Sequence, residues 1–582
     1  VRPETNVEPA APPPIYGGAP VARRAATART HVLTIALEDY LQGAAAKHRV
    51  RREERGRFEH RLRESAARAL ELLHDTDTRA TFFVAGSIAD AMPQLLSEIA
   101  GCGHEIASAG YDAVEPRVLG RTGFRDDAQR ARSAIERATG RRVLGYRLGA
   151  GWLGADELWM LDALAQVGYV YDSSLRPFLR AIARDPWRRL PHRSHGTALM
   201  PRQMGILEVP VSSARVLGLD VPIAGGGYIR QVPAWVAASC VRQWERRYRE
   251  PYVTYFRVWE LDPEQPRVQG APALARMRQY RNLERMPARL RQFLGAHHFT
   301  SIADCFGLDA GPAAPTPPKR RAAIVVPRSA PVTETTRLPV TVVVPCYDES
   351  ASLRYLANTL RVLVAALGER YDFTFLFVDD GSTDDTWDRL NRLFGSARDC
   401  MLVRHERNRG IAAAIRTGLE YARTEVVCSI DSDCTYDPLE LGAMIAQLEE
   451  GVDVVTASPY HPAGHVRDVP GWRLFLSRSL SQLYRLMLHQ RLHTYTSCFR
   501  VYRRSSTIAL QVQHDGFLGI AEALVRHDLA GHRIVEHPTT LAARRLGESK
   551  MKLVETIAGH LGLLAMVFRE RLAGLRRRAA RA

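Results

Sequence analysis

Two stretches of the chain repeat one pattern: a short apolar run, then a longer segment whose apolar positions fall at helical spacing. The clearer stretch begins near Leu338. Apolar runs predict strands at Val340 to Pro345, Phe373 to Val378, Met401 to Arg404 and Val426 to Ile430, with helices at Ser350 to Leu367, Thr383 to Leu393 and Ile411 to Ala422 between them. That alternation predicts a mostly parallel, doubly wound α/β sheet, with ligands at the carboxyl ends of its strands. The earlier stretch starts at His31 and runs through HVLTIALEDY, a charged helix ending near Leu73, ATFFVAG and GHEIASAGYDA. Between the two lies a segment rich in proline, alanine and basic residues, which reads as a linker over 308–337. The expected organisation is a leader at 1–30, domains at 31–307 and 338–556, and a basic amphipathic helix at 557–582.

Composition narrows the class. A chain of 582 residues exceeds what one core usually serves. With 46% hydrophobic and 25% charged residues and no apolar run long enough to span a bilayer, it reads as globular and cytoplasmic, without a membrane span. The eight cysteines show no CxxC pairing, which argues against a zinc knuckle or a disulfide framework. The net charge of +17 admits phosphorylated substrates or an anionic membrane surface. No recognition motif points to nucleic acid. Two segments, Trp472 to Leu488 and Ile557 to Arg581, place apolar residues among arginines and suit the surface of a membrane.

Three acidic clusters fall at three predicted strand ends: Asp348 and Glu349, Asp379 and Asp380, and Asp431 and Asp433. A diphosphate repels carboxylates unless a hard cation stands between them, and Mg²⁺ or Mn²⁺ prefers carboxylate and phosphate oxygens. Asp431 and Asp433 point to the same side of an extended segment, so either or both can ligate such an ion.

The motifs VVVPCYDES, VDDGSTDDT, RNRGIAAAIRTGL and DSD, in that order, resemble family 2 glycosyltransferases, and YTSCFRVYRR with RRLGESK is similar to the polyprenyl-phosphate sugar synthases among them. The resemblance implies a Rossmann-like GT-A domain. It implies that Pro345, Tyr347, Glu349, Asp379 and Asp380 bind the nucleotide sugar and that Asp431 and Asp433 hold the metal. It places Arg473, Ser497, Arg500, Arg544, Ser549 and Lys550 on the acceptor and diphosphate side, where arginine forks and a lysine suit phosphate groups. Cys498 stands where the subgroup has glycine. A lipid phosphate is already ionised and needs no strong base, whereas a sugar hydroxyl does; Glu522 is the candidate for that base.

The first domain resembles polysaccharide deacetylases through its strand openings and through LGYR, YVYDSSLRP, AGGGYIR and YFRVWELDPEQPR. The resemblance implies a distorted (β/α) barrel. It also implies lost chemistry: Ala36 stands at the place of the family's catalytic base, Ala109 and Ala113 at its two metal-binding histidines, and Arg257 at its later histidine. Glu38, Asp39, Asp112 and His104 are the residues from which some other site there could form.

The sequence thus predicts a metal-dependent inverting glycosyltransferase of cell-envelope or exopolysaccharide synthesis, peripheral on the inner face of the cell membrane. It would use a UDP- or GDP-linked sugar and a lipid phosphate or glycan acceptor, and carry an inactive deacetylase-like domain. The alternatives are a glycan-binding scaffold with both halves idle, and a transferase acting on a soluble glycan hydroxyl.

Overall fold

The computed structural model describes residues 29–547 and 559–569, apart from 48, 52, 152, 154–156, 176–199, 204–205, 217–218, 310, 314–336 and 470. Ser549 and Lys550 lie outside the described residues. The chain forms two compact units. The first takes the described residues up to Tyr40, Arg61–Pro263 and those from Arg281 to the linker. The second takes Leu41–His60, Glu264–Tyr280 and those from Arg337 onward. Two segments early in sequence therefore belong to the unit built mainly from the second half.

In the first unit the strands are β1 (Thr30–Ala36), β2 (Thr81–Val84), β3 (Glu105–Ser108), β4 (Gly145–Tyr146), β5 (Tyr171–Asp172), β6 (Met200–Gln203), β7 (Ile206–Glu208), β8 (Ser213–Val216), β9 (Leu219–Pro222), β10 (Val253–Arg257) and β11 (His298–Thr300). All but β8 and β9 make one curled sheet in the order β10-β1-β2-β3-β4-β5-β7-β6, with β11 beside the start of β1. Every pairing in it is parallel except β6 with β7. This is the distorted (β/α) barrel of the deacetylase type. The β1 run THVLTIA is buried almost throughout because both of its sides are covered, which explains why it reads as continuous rather than alternating apolar sequence.

The second unit is a GT-A-type α/β fold. Its strands are β12 (Leu338–Cys346), β13 (Tyr371–Asp379), β14 (Cys400–Arg404), β15 (Val426–Ser429), β16 (Val454–Ser458), β17 (His465–Arg467), β18 (Arg500–Arg503), β19 (Ile534–Pro538) and β20 (Thr540–Ala542). Seven form a sheet in the order β14-β13-β12-β15-β18-β16-β19, and β17 pairs with β20 in a separate ribbon. β12 through β15 are parallel, while β18 runs antiparallel to both neighbours.

Register positions the chemistry. Cys346 lies opposite Asp379, Asp379 opposite Arg404, and Val343 opposite Ser429, so the three acidic loops leave one edge of the sheet together. Two glycines allow close approaches there. A Cβ on Gly418 of the helix Ile411–Tyr421 would stand 2.2 Å from a methyl of Val343, and Gly381, at φ +70°, has the backbone of Arg407 against it. Helix starts differ slightly from the expected ones: the first helix begins at Leu353 and the second at Thr386, because Asp348 and Glu349 are tied to the preceding turn residues Ser382 to Thr386.

Candidate functional site

The site is assembled from the loops after β12, β13 and β15 and the loop after β20. In the first, Asp348 takes a positive φ of 47°. Its Oδ1 accepts the backbone N–H of Thr383 at 2.7 Å, which couples the β12 loop to the β13 loop. Pro345 is buried in β12 and Tyr347 is half-buried beside it. Glu349 is 8% exposed and receives a hydrogen bond from the Ser352 hydroxyl at 2.9 Å.

The guanidinium of Arg544 organises the centre. Its Nε donates to Asp433 Oδ2 at 2.7 Å and its Nη2 donates to Glu349 Oε1. It thus holds together acids from the β12 and β15 loops. Asp433 also caps its own turn, accepting the N–H of Thr435 at 3.0 Å. Asp431 completes the group. Burial, reinforced by Asp433, pushes its carboxyl up to about 7. Burial also raises Glu349, with Arg544 opposing the shift. The donor set of Asp431 and Asp433 is of the hard oxygen type that Mg²⁺ and Mn²⁺ prefer.

Other expected residues take different positions. Asp379 is fully buried; it accepts from the Ser382 hydroxyl and pairs with Arg404 at 3.0 Å. Asp380 receives His405 Nδ1 at 2.7 Å and the N–H groups of Arg409 and Gly410 at 2.9 and 2.7 Å. Its charge therefore sits at the amino end of the helix Ile411–Tyr421, where the helix dipole favours an anion. Ser497 is buried and accepts the N–H of Phe499 at 3.2 Å. Arg500 is fully buried at the start of β18 and donates to the carbonyls of Ile520 and Tyr495 at 2.8 and 2.9 Å. Arg473 lies on the helix Gly471–Met487.

Glu522, the candidate base, is fully buried. Its oxygens accept the N–H groups of Gln513 and His514 at 3.0 and 2.9 Å, His514 Nδ1 at 2.8 Å, and Arg526 Nε and Nη2 at 3.2 and 3.1 Å. Burial alone would raise its pKa, but these bonds outweigh it and hold the carboxyl below its ordinary value. This arrangement fixes the turn before the helix Phe517–Leu529.

Cys498, which stands where the similar motif has glycine, lies beside Asp431. Burial first, and then Asp431, push its thiol well above the ordinary range.

In the first unit, the strand ends carry an ion pair. Arg257 Nε stands 3.2 Å from Glu38, and Arg230 faces Glu260 at 3.4 Å with both side chains 1% exposed. Among the described residues one trio has potential metal-binding atoms grouped together: His31, Glu245 and His297, with His31 near the amino end of β1. The N–H of Tyr252 donates to His31 Nδ1 at 3.1 Å, so the proton is on Nε2, which gives it to Glu245 at 3.0 Å. That tautomer offers no free lone pair to a cation.

Together these features define an α/β fold of GT-A type with an acidic, arginine-bridged edge, in a chain that also carries a curled, mostly parallel deacetylase-type sheet. The chain has a "Glycosyl transferase family 2" domain matched over residues 341–510, preceded by "Polysaccharide deacetylase" over 57–171 and a "Domain of unknown function (DUF3473)" over 173–307. It is 29% identical over 217 residues to a polyprenol monophosphomannose synthase of Mycolicibacterium smegmatis, covering 36% of this chain and 80% of that protein. It is 27% identical over 215 residues to a dolichol-phosphate mannosyltransferase of Pyrococcus furiosus, covering 37% of this chain and 59% of the relative's length. Among solved structures, a putative polysaccharide deacetylase from Mycobacterium smegmatis matches at 18% identity and a TM-score of 0.32, over 52% of this chain and 98% of that one.

Proposed function

We propose that the second unit is an inverting glycosyltransferase that uses Mg²⁺ or Mn²⁺ at Asp431 and Asp433 to move a sugar from a UDP- or GDP-linked donor to a polyprenyl phosphate or another membrane-associated acceptor. The observation that carries this reading is the Arg544 bridge between Asp433 and Glu349, which gathers acids from separate loops around a positive charge at the sheet edge. The similarity to a polyprenol monophosphomannose synthase and a dolichol-phosphate mannosyltransferase supports the acceptor class.

The metal, held by Asp431 and Asp433, would neutralise charge on the departing diphosphate. Beside an ion on Asp431 and Asp433, Arg544, bonded to Asp433 and Glu349, would add its positive charge next to the diphosphate oxygens. An acceptor phosphate oxygen bonds to the anomeric carbon as the bond from that carbon to the diphosphate breaks, and one displacement inverts the centre. The nucleophile is already ionised, so the reaction asks for no strong base. The saturated carboxylate of Glu522 accords with that. Ser549 and Lys550 are proposed to add positive charge and a hydroxyl on the acceptor side.

A membrane surface suits the exposed side chains. Phe475, Leu483 and Leu486 are exposed on the helix Gly471–Met487 beside Arg478, and Leu561 and Phe568 are exposed on the helix at 559–569. Apolar side chains among arginines favour an anionic bilayer. Among the described residues no helix is long and apolar enough to cross a membrane. We place the protein on the inner face of the cell membrane, in envelope or exopolysaccharide synthesis.

The deciding experiment incubates the full chain with labelled UDP- and GDP-sugars, Mn²⁺ and polyprenyl phosphate, then extracts lipid. Label in the lipid phase is expected; label confined to water-soluble glycan would replace the acceptor, and no transfer from any donor would defeat the reading. The first unit is proposed to bind glycan without hydrolysing it, since Ala36, Ala109, Ala113 and Arg257 leave no imidazole for a catalytic metal. Incubation with N-acetylated glycans and divalent metals is expected to release no acetate, and measurable acetate would overturn that part.

A further inference from the structure

Two segments remote in sequence, Leu41–His60 and Glu264–Tyr280, are folded into the second unit, and their contacts converge on the loop that carries Arg544. They lock to one another first. Gln279, fully buried, accepts the N–H groups of Ala45 and Ala46 at 2.7 and 3.3 Å and donates to Gln265 at 3.2 Å. Arg49 donates to the carbonyl of Gly270 at 2.7 Å.

The locked pair then grips the body of the unit. Phe58 is wholly buried, with its ring 4.8 Å from that of Tyr355. Asn358 donates to the carbonyl of Arg57 at 3.1 Å. Arg57 pairs with Asp437 at 3.0 Å, and Arg49 pairs with Asp468 at 2.7 Å. The last grip is Arg545. Its carbonyl accepts the N–H of Gln269 at 2.8 Å, its guanidinium donates to the carbonyl of Arg49, and it pairs with Glu54 at 3.1 Å.

We propose that this strap is a working part of the transferase site and that Arg545 is a positioning residue, tying the 543–547 loop to Glu54, Arg49 and Gln269 so that Arg544 meets Asp433 and Glu349. The inference rests on the transferase reading above. Its physical basis is the pairing of neighbours: Arg544 reaches the acidic edge, and Arg545, the next residue, reaches the strap. A loop held on both sides has little freedom, and the guanidinium it carries is pre-placed for the donor. The Arg545 to Glu54 pair is largely shielded, with side chains 19% and 23% exposed, so it is stronger than a rim contact. Because Arg545 acts before the chemical step, its loss weakens binding of the metal and donor more than turnover.

The test uses the full chain and the variants Arg545→Ala, Arg545→Lys and Glu54→Gln. Arg545→Ala is expected to raise the donor KM about tenfold while kcat changes less than about twofold. Lysine should recover part of the loss. Adding Glu54→Gln to Arg545→Ala should cost little more than Arg545→Ala alone, because both remove one tether. Before any donor is added, peptides covering residues 540–547 should exchange amide hydrogens faster in Arg545→Ala and in Glu54→Gln. Unchanged exchange in both variants, or a lowered melting temperature with unaltered KM, would overturn the proposal. A wild-type chain inert toward every donor, with exchange responding as expected, would defeat the transferase reading and leave the tether standing.

Discussion

Asp433→Ala is expected to lower kcat/KM for sugar transfer at least about a thousandfold while leaving the fold intact, as judged by far-ultraviolet circular dichroism and melting. The side chain is 13% exposed at a loop outside the hydrophobic core, and the substitution removes no core volume, so stability should change little. What is lost is one of two proposed metal oxygens and the partner of Arg544. Asp433→Asn separates the two, since it keeps an acceptor for Arg544 but surrenders the charge; it should fail nearly as badly. Wild-type turnover in either variant would sink the metal assignment. The same site gives a pH signature. Because Asp431 is pushed up to about 7, it holds a proton below that pH and must release it to bind an ion, so the apparent Mn²⁺ affinity of the wild-type chain should rise with pH and level off above about 7.

Glu522→Gln should cost the folded state about 2–4 kcal/mol, because a buried carboxylate that answers five donor contacts is replaced by an amide whose NH₂ faces some of those same donors. The depressed pKa carries the same message: the stabilisation is present above the unfolded value and is lost as the pH falls through the lower folded value. Denaturant unfolding measures the loss. Turnover separates clamp from base. Well below the melting temperature, the variant should keep the wild-type acidic limb in its pH-rate profile; disappearance of that limb in a normally stable variant would make Glu522 the base after all.

The acidic edge was legible because strand ends announce themselves. A run such as VTVVVPC followed by YDES needs only the period of the apolar positions to be placed, and the register of β12 with β13 and β15 then brings the loops together. The part played by Asp380 was not legible in that way. Its partners Arg409 and Gly410 lie thirty residues on, and nothing local distinguishes a carboxylate that caps a helix from one that meets a ligand. Arg544 was reached through family resemblance, whereas its bridge between Glu349 and Asp433 depends on three loops meeting. The strap was invisible for the same reason in stronger form: ordinary residues such as Asn358, Arg57 and Gln279 acquire meaning only through partners hundreds of positions away.

That separation has a consequence for synthesis. Arg57 waits for Asp437, 380 residues later, and at about 5–20 residues per second the wait on a translating ribosome is roughly 20–80 s. For most of that interval, until Tyr355 is made, Phe58, which ends wholly buried, has no partner ring to cover it. The nascent chain therefore presents an apolar hook to chaperones, and the second unit closes only after most of the message has been read. Cutting the gene at the proline-rich junction would yield a second half that never receives its hook.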